Sequence, residues 1–204
     1  MKIICIGRNY AAHAKELGNK VPTEPVVFLK PETALIPKGQ PFFYPEHSND
    51  VHYEVELVIR INRVGRHIEE RFAHRYYDSI GLGVDFTCRD TQQRLKEAGH
   101  PWEKAKAFDH SAPVSQDFLP VKDIQDLNNL AFRLEKNGEI VQEGNSSNMI
   151  FPVNKLIEEV SKYFTLKIGD LIFTGTPSGV GPVAIGDTLT GYIEERKMFD
   201  LRIK

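Results

Sequence analysis

Asp50-Val51-His52-Tyr53-Glu54-Val55-Glu56-Leu57-Val58-Ile59 alternates polar residues with β-branched and aromatic ones, the pattern of a β-strand. Side chains two apart on a strand share a face, which puts His52, Glu54 and Glu56 on one side and Tyr53, Val55 and Leu57 on the other. Two neighbouring carboxylates repel. On a solvated face water screens them at little cost, and an exposed strand is enough to account for Glu-x-Glu taken alone. In a cleft, the partner that suits them is a divalent cation with oxygen ligands.

The sequence downstream favours the cleft. Ile80-Gly81-Leu82-Gly83-Val84-Asp85-Phe86-Thr87 reads as a glycine-rich apolar strand with one charge, and an acid among such neighbours is costly unless neutralised or coordinated. Asp85 follows Glu56 by 29 residues, an ordinary distance for a strand, a crossover and a return, so the three carboxylates can converge. An all-oxygen site of that kind suits Mg²⁺ or Mn²⁺, with Ca²⁺ as a third choice. Zinc suits it less, because no His/Cys cluster accompanies the acids.

Other segments surround this pair. Residues 2 to 6 read as a first strand, left through Gly7-Arg8-Asn9-Tyr10, and Ala11 to Leu17 as a short helix stopped at Gly18. On it His13 and Glu16 are three apart, hence neighbours, so that Glu16 can hold one ring nitrogen and raise the basicity of the other. That is a general-base arrangement; a solvated surface pair has the same spacing. Pro25 to Pro31 reads as a buried strand whose Lys30 either faces the cleft or caps the strand end. Phe42 and Phe43 are core candidates, Ile68 to Tyr77 a charged helical segment, and Cys88 to Gly99 a helix ended by glycine. In Pro101 to Asp109, read as extended, Lys104 and Lys106 face one way, and spacing alone does not choose between them. Phe132 to Gln142 is a hairpin on the Asn137-Gly138 turn, and Pro152 to Phe164 an amphipathic helix with Val153, Leu156, Ile157, Val160 and Phe164 as its apolar stripe. Asp170 to Gly181 is a strand running into a glycine-rich loop suited to an anion, more a carboxylate than a phosphate, and Gly186 opens a closing hairpin that runs to Ile203.

With 204 residues the chain can bury one full core, and a single domain over 1–204 is expected. Lys+Arg at 26 against Asp+Glu at 28 gives a net charge of -2 without blocks of like charge, which argues against nucleic acid or an anionic membrane as partner. The partner expected is a small molecule. Cys5 and Cys88 form no metal-spaced or redox pair, which fits a reducing compartment, and the apolar opening is too short for a signal core or a membrane span; a cytoplasmic address is expected.

Taken in order, Gly7-Arg8-Asn9-Tyr10 with His13 and Glu16, Phe28-Leu29-Lys30-Pro31, His52 to Leu57, Asp85 with Arg89-Asp90 and Gln92, Ala105-Lys106, and Thr174-Gly175-Thr176-Pro177 with Gly179-Val180-Gly181 resemble the fumarylacetoacetate hydrolase family. Within it the chain is most similar to the short members acting on acylpyruvates, some of which decarboxylate oxaloacetate. The resemblance implies an α+β, β-rich fold of several distorted sheet layers with few short helices, a homodimer, and Mg²⁺ or Mn²⁺ held by Glu54, Glu56 and Asp85. It assigns His13 and Glu16 to a water-activating dyad on a ligand-ordered lid, and it selects Lys106 over Lys104. By the same matching Arg8, Arg89, Gln92, Gly175 and Thr176 touch substrate or support the lid. Glu32 and Leu35 stand where close relatives often carry Ser and Tyr, which bears on substrate size and not on the chemistry.

The activity expected first is hydrolysis of the carbon–carbon bond of a 3-acylpyruvate to pyruvate and a carboxylic acid. Decarboxylation of oxaloacetate, or isomerisation of a keto-diacid, is the alternative on the same site. A non-catalytic keto-acid or metal sensor is the reading from another class, and the complete dyad argues against it.

Overall fold

The computed structural model describes residues 1–204. The chain opens with β1 (Ile3–Gly7), a short helix α1 (Ala11–Glu16) and β2 (Val26–Lys30), then passes through β3 (Val51–Tyr53) and β4 (Val55–Ile61) to β5 (Tyr77–Val84) and β6 (Thr87–Cys88). Helix α2 (Arg89–Glu97) and the single turn α3 (Glu103–Lys106) follow, then β7 (Leu119–Pro120), β8 (Ala131–Lys136), β9 (Glu139–Asn145) and α4 (Val153–Tyr163). The chain closes with β10 (Leu171–Phe173), β11 (Gly181–Pro182), β12 (Thr188–Ile193) and β13 (Arg196–Arg202). The fold is β-rich with few short helices, as the sequence implies.

Three sheets result. The largest has the order β2-β1-β10-β4-β5-β7, with β1 and β10 parallel and every other pair antiparallel; a small one runs β11-β3-β6, and a third β13-β12-β8-β9. Strand β1 explains why the first sheet is central. Its alternate residues Ile4 and Ile6 enter one apolar cluster and Ile3 and Cys5 another, so both faces are covered. The larger cluster draws on all three sheets and on α4, whose Val153, Leu156, Ile157 and Val160 recur at helical spacing. Full burial of each such side chain contributes about 1.5–3 kcal/mol. The third sheet is organised by its hairpin: Asn137 (φ 56°) and Gly138 (φ 87°) both adopt left-handed backbone, as a type I′ turn requires.

Four local expectations need correction. Strand β2 is an edge strand paired only with β1, so it is half-buried and Leu29 lies exposed. The segment from Ile68 to Tyr77 forms only a 3₁₀ turn at Glu70–Arg75, because it must release the chain into β5. Lys104 and Lys106 lie not on extended chain but on α3, and the turn exposes Lys104 while burying Lys106. Of the two adjacent phenylalanines only Phe42 is core, stacked on Phe86 at 3.9 Å between ring centres, with Phe43 exposed. No helix is long and apolar enough to cross a membrane.

The Phe42–Phe86 stack locks the strand-free segment before β3 to the residue that follows Asp85. Phe42→Ala should lower the unfolding free energy by about 3–5 kcal/mol, and Phe43→Ala should change it by less than about 0.5 kcal/mol, both read from denaturant titrations.

Candidate active site

Two neighbouring strands bend at the same level. The run quoted at the outset is not one strand: β3 belongs to the small sheet and β4 to the large one, with Glu54 at the break. Its partner breaks opposite, between β5 and β6, at Asp85 and Phe86. His52 pairs with Thr87 on one side of the bend and Val55 with Val84 on the other, and between them the Asp85 amide donates to the Glu54 carbonyl at 2.8 Å. The chain thus changes sheets where its carboxylates are needed. His52 departs from the shared face expected of it: it lies on the small sheet, half-buried, with Nε2 3.0 Å from Asp50 Oδ1, and does not line the cleft.

Glu54, Glu56 and Asp85 are 4 %, 2 % and 1 % exposed, which rules out the solvated-strand explanation of Glu-x-Glu. One carboxylate oxygen from each lies within 4.8 Å of the others. Three cations offset the three acids. Lys106 Nζ bridges Glu54 Oε2 at 2.8 Å and Asp85 Oδ2 at 2.7 Å, Arg89 Nη2 pairs with Glu54 Oε1, and Lys30 Nζ lies 2.8 Å from Asp85 Oδ1. Burial alone would raise the Glu54 carboxyl, but Lys106 and Arg89 outweigh it and hold Glu54 well below the usual carboxylate range. Glu56 goes the other way: burial, then Asp85 and Glu54, push it well up against the single amide of Gly175 that donates to its Oε2 at 2.7 Å. For Lys106, burial opposes the charge, yet Asp85 and Glu54 raise its pKa and keep it cationic.

Across the cleft stands α1. His13 is buried, with Nδ1 3.3 Å from Glu16 Oε2, and Glu16 Oε1 accepts from the Gly179 amide at 3.0 Å. A carboxylate can only accept, so the proton of that pair sits on Nδ1 and leaves Nε2 as the basic nitrogen. Arg8, which leads into α1, adopts φ 60°, a left-handed conformation uncommon outside glycine. Nine of the eleven residues singled out in the sequence line one cleft. The other two, Glu16 and Gly175, stand behind it, Glu16 on His13 and Gly175 on Glu56.

The family model for the fumarylacetoacetate (FAA) hydrolase C-terminal region matches residues 2–203. The chain belongs to this family. It is 47 % identical over 190 residues to the oxaloacetate tautomerase YcgM of Escherichia coli (strain K12), spanning 93 % of this chain and 86 % of that one. It is 46 % identical over 189 residues to the mitochondrial oxaloacetate decarboxylase of Dictyostelium discoideum, spanning 92 % and 86 %. Among solved structures, the fumarylpyruvate hydrolase of Pseudomonas aeruginosa in complex with Mn²⁺ and pyruvate superposes with a TM-score of 0.93 at 36 % identity, over all of this chain and 89 % of that one.

Enzymes of the fumarylacetoacetate hydrolase family bind a divalent metal, and the donor set here suits one. The three side chains offer oxygen only, the preference of Mg²⁺, Mn²⁺ and Ca²⁺. Asp85 Oδ1, although close to Lys30, receives no aligned hydrogen bond and is fully buried, so a ligand oxygen is left free.

Of two supports of this site, the sequence leaves Lys30 open between facing the cleft and capping its strand, and carries no sign of Gln142. Lys30 both neutralises Asp85 and donates to the Lys106 carbonyl and to the Ser111 carbonyl and hydroxyl, fixing the turn that carries Lys106. Gln142, read only as the end of a hairpin strand, is 2 % exposed and uses its whole amide: Oε1 accepts from Val55 N at 2.9 Å, and Nε2 donates to Thr176 Oγ1 at 2.9 Å and to the Pro177 carbonyl at 3.0 Å. It ties β4 to the glycine-rich loop. Gly175 on that loop is required by geometry, since at φ +99° an added Cβ would stand 2.7 Å from Asn9 Cβ. A polar residue in a half-apolar strand carries no mark of such a role.

Gln142→Met keeps the volume but leaves Val55 N and Thr176 Oγ1 without their partner. It should cost about 1–3 kcal/mol of unfolding free energy in denaturant titration, against a smaller cost for exposed Gln93→Met.

Proposed function

We propose that this chain interconverts the keto and enol forms of oxaloacetate, and that decarboxylation of the same acid is its companion reaction. One observation carries the reading: a buried, oriented imidazole and a buried lysine paired with two of the acids flank a buried cluster of three carboxylates in a single small cleft. The tautomerase and decarboxylase relatives support it, and they favour the alternative expected from the sequence over the acylpyruvate hydrolysis placed first there.

Glu54, Glu56 and Asp85 would hold Mg²⁺ or Mn²⁺, with Ca²⁺ fitting the same donors. When bound, the ion supplies Lewis-acid polarisation of the 2-oxo acid group. His13 Nε2 takes a proton from C3 of the keto form, with Glu16 on Nδ1 steadying the charge that the ring then carries. A proton returned to the 2-oxygen completes the enol, and the reverse sequence restores the ketone. Lys106 faces negative charge already and stabilises what develops on that oxygen. Arg8 and Arg89 provide the positive rim that a second carboxylate seeks, with Gln92 Oε1 fixing Arg89 at 2.9 Å. Thr176 lines the cleft, and Gly175 stands behind it with its amide on Glu56.

Hydrolysis of a 3-acylpyruvate is the second reading, favoured by the structural likeness to the fumarylpyruvate hydrolase. There His13 would take its proton from water. One variant separates these reactions. His13→Ala should slow tautomerisation by about two to four decades, the range for a positioned base, and decarboxylation, which requires no base, should fall much less. Stopped-flow loss of enol absorbance measures the first and pyruvate formation the second. Tautomerisation at near wild-type rate in this variant would exclude the role given to His13.

A further inference from the structure

Two cavities lie back to back beside α3. The catalytic cleft is small, about 50 Å³, room for about two water molecules. Next to it runs a groove of about 250 Å³, lined by Val26, Val27, Leu29 and Pro101, with Glu103 its only charged residue. Phe28 and Trp102 are the only residues that line both. Their rings meet edge to face, 6.3 Å between centres and 66° between planes, so one pair of rings forms the partition.

The partition is anchored to the chemistry. Lys106 Nζ lies 5.4 Å from the centre of the Phe28 ring, and the Trp102 carbonyl accepts from the amides of Ala105 and Lys106 at the start of the turn that presents the lysine. Both rings are half-buried, and each borders the cleft on one side and the groove on the other. The contrast across them is one of polarity: carboxylates and cations on one side, aliphatic side chains on the other.

We infer that Phe28 and Trp102 set the length of substrate that this site takes, closing a ready-made apolar groove to the tail of any longer 2-oxo acid. The inference rests on the keto-acid reading of the cleft but not on which reaction occurs there. A four-carbon diacid ends at the arginine rim and has no use for the groove. A 2-oxo acid with an alkyl or phenyl tail meets the ring pair, and only its removal gives that tail an apolar bed.

The test is direct binding, which needs no turnover. Straight-chain 2-oxo acids from four to eight carbons and phenylpyruvate are titrated calorimetrically into the Mn²⁺-loaded wild-type protein, Trp102→Ala and Phe28→Ala. Alanine at 102 keeps the carbonyl that starts α3, and the two variants open the wall from opposite sides, so loss of folding in one leaves the other to decide. For the wild type, affinity should stay flat or fall with length. For a folded variant it should tighten about fourfold for each added methylene, the effect of burying one in an apolar bed. Tightening with length in the wild type, or flat series in the folded variants, would overturn the inference. A wild-type protein that binds these acids yet leaves oxaloacetate unchanged would refute the tautomerase reading alone.

Discussion

Three carboxylates buried beside one another would be ruinous to folding without compensation, and the architecture around the cleft is the set of devices that supply it. Isolated charges in a protein interior are tolerated only when paired and hydrogen-bonded. Here three cations from different parts of the chain meet two of the acids, Arg89 from α2 and Lys106 from α3 on Glu54, and Lys106 with Lys30 from the end of β2 on Asp85, while Glu56 is met by the Gly175 amide. Those elements are held in place for electrostatic reasons as much as apolar ones. The pairs need not add stability over an apolar core of the same volume; what they provide is one defined arrangement.

The joint bend of β3–β4 and β5–β6 is the backbone counterpart of that cluster. A regular antiparallel pair keeps its side chains perpendicular to the sheet, and the cross-strand neighbour of Glu56 is Gly83, not an acid. Breaking both strands at one level reduces the ladder there to the single Asp85–Glu54 backbone bond and lets Asp85 turn towards the glutamates. Glycine at 83 is required by packing, since an added Cβ would stand 2.7 Å from the Phe173 ring. Phe86, the next residue, is stacked on Phe42 in the main core, so the turn of Asp85 is fixed from behind by packing.

Much of this was readable from residue types. The Glu-x-Glu pair, the lone acid at Asp85, the His13–Glu16 spacing and the Asn137-Gly138 turn are all marked by residue type, and the last two have the local geometry that their spacing encodes. What local rules do not contain is pairing at a distance. They make residues 50–59 one strand, because a change of sheet is decided by Thr87 and Val84 on the partner. They leave Lys104 and Lys106 equivalent, since the one-turn helix that separates them is positioned by Lys30, 76 residues before Lys106. Gln142 is the extreme case: its partners Val55, Thr176 and Pro177 are remote in sequence, and nothing about a glutamine in a strand announces them.

Relatives named for tautomerisation, decarboxylation and hydrolysis are similar to this chain over nearly its whole length, so family alone does not choose the reaction. The keto-acid reading stands on the three carboxylates acting together as the seat of a dication. Diffraction from crystals grown in excess Mn²⁺, recorded above and below the manganese edge, addresses it directly. The account predicts one strong anomalous peak within coordinating distance of Glu54, Glu56 and Asp85. A map without a peak there, with the acids still held by Lys106, Arg89 and Lys30, would contradict it.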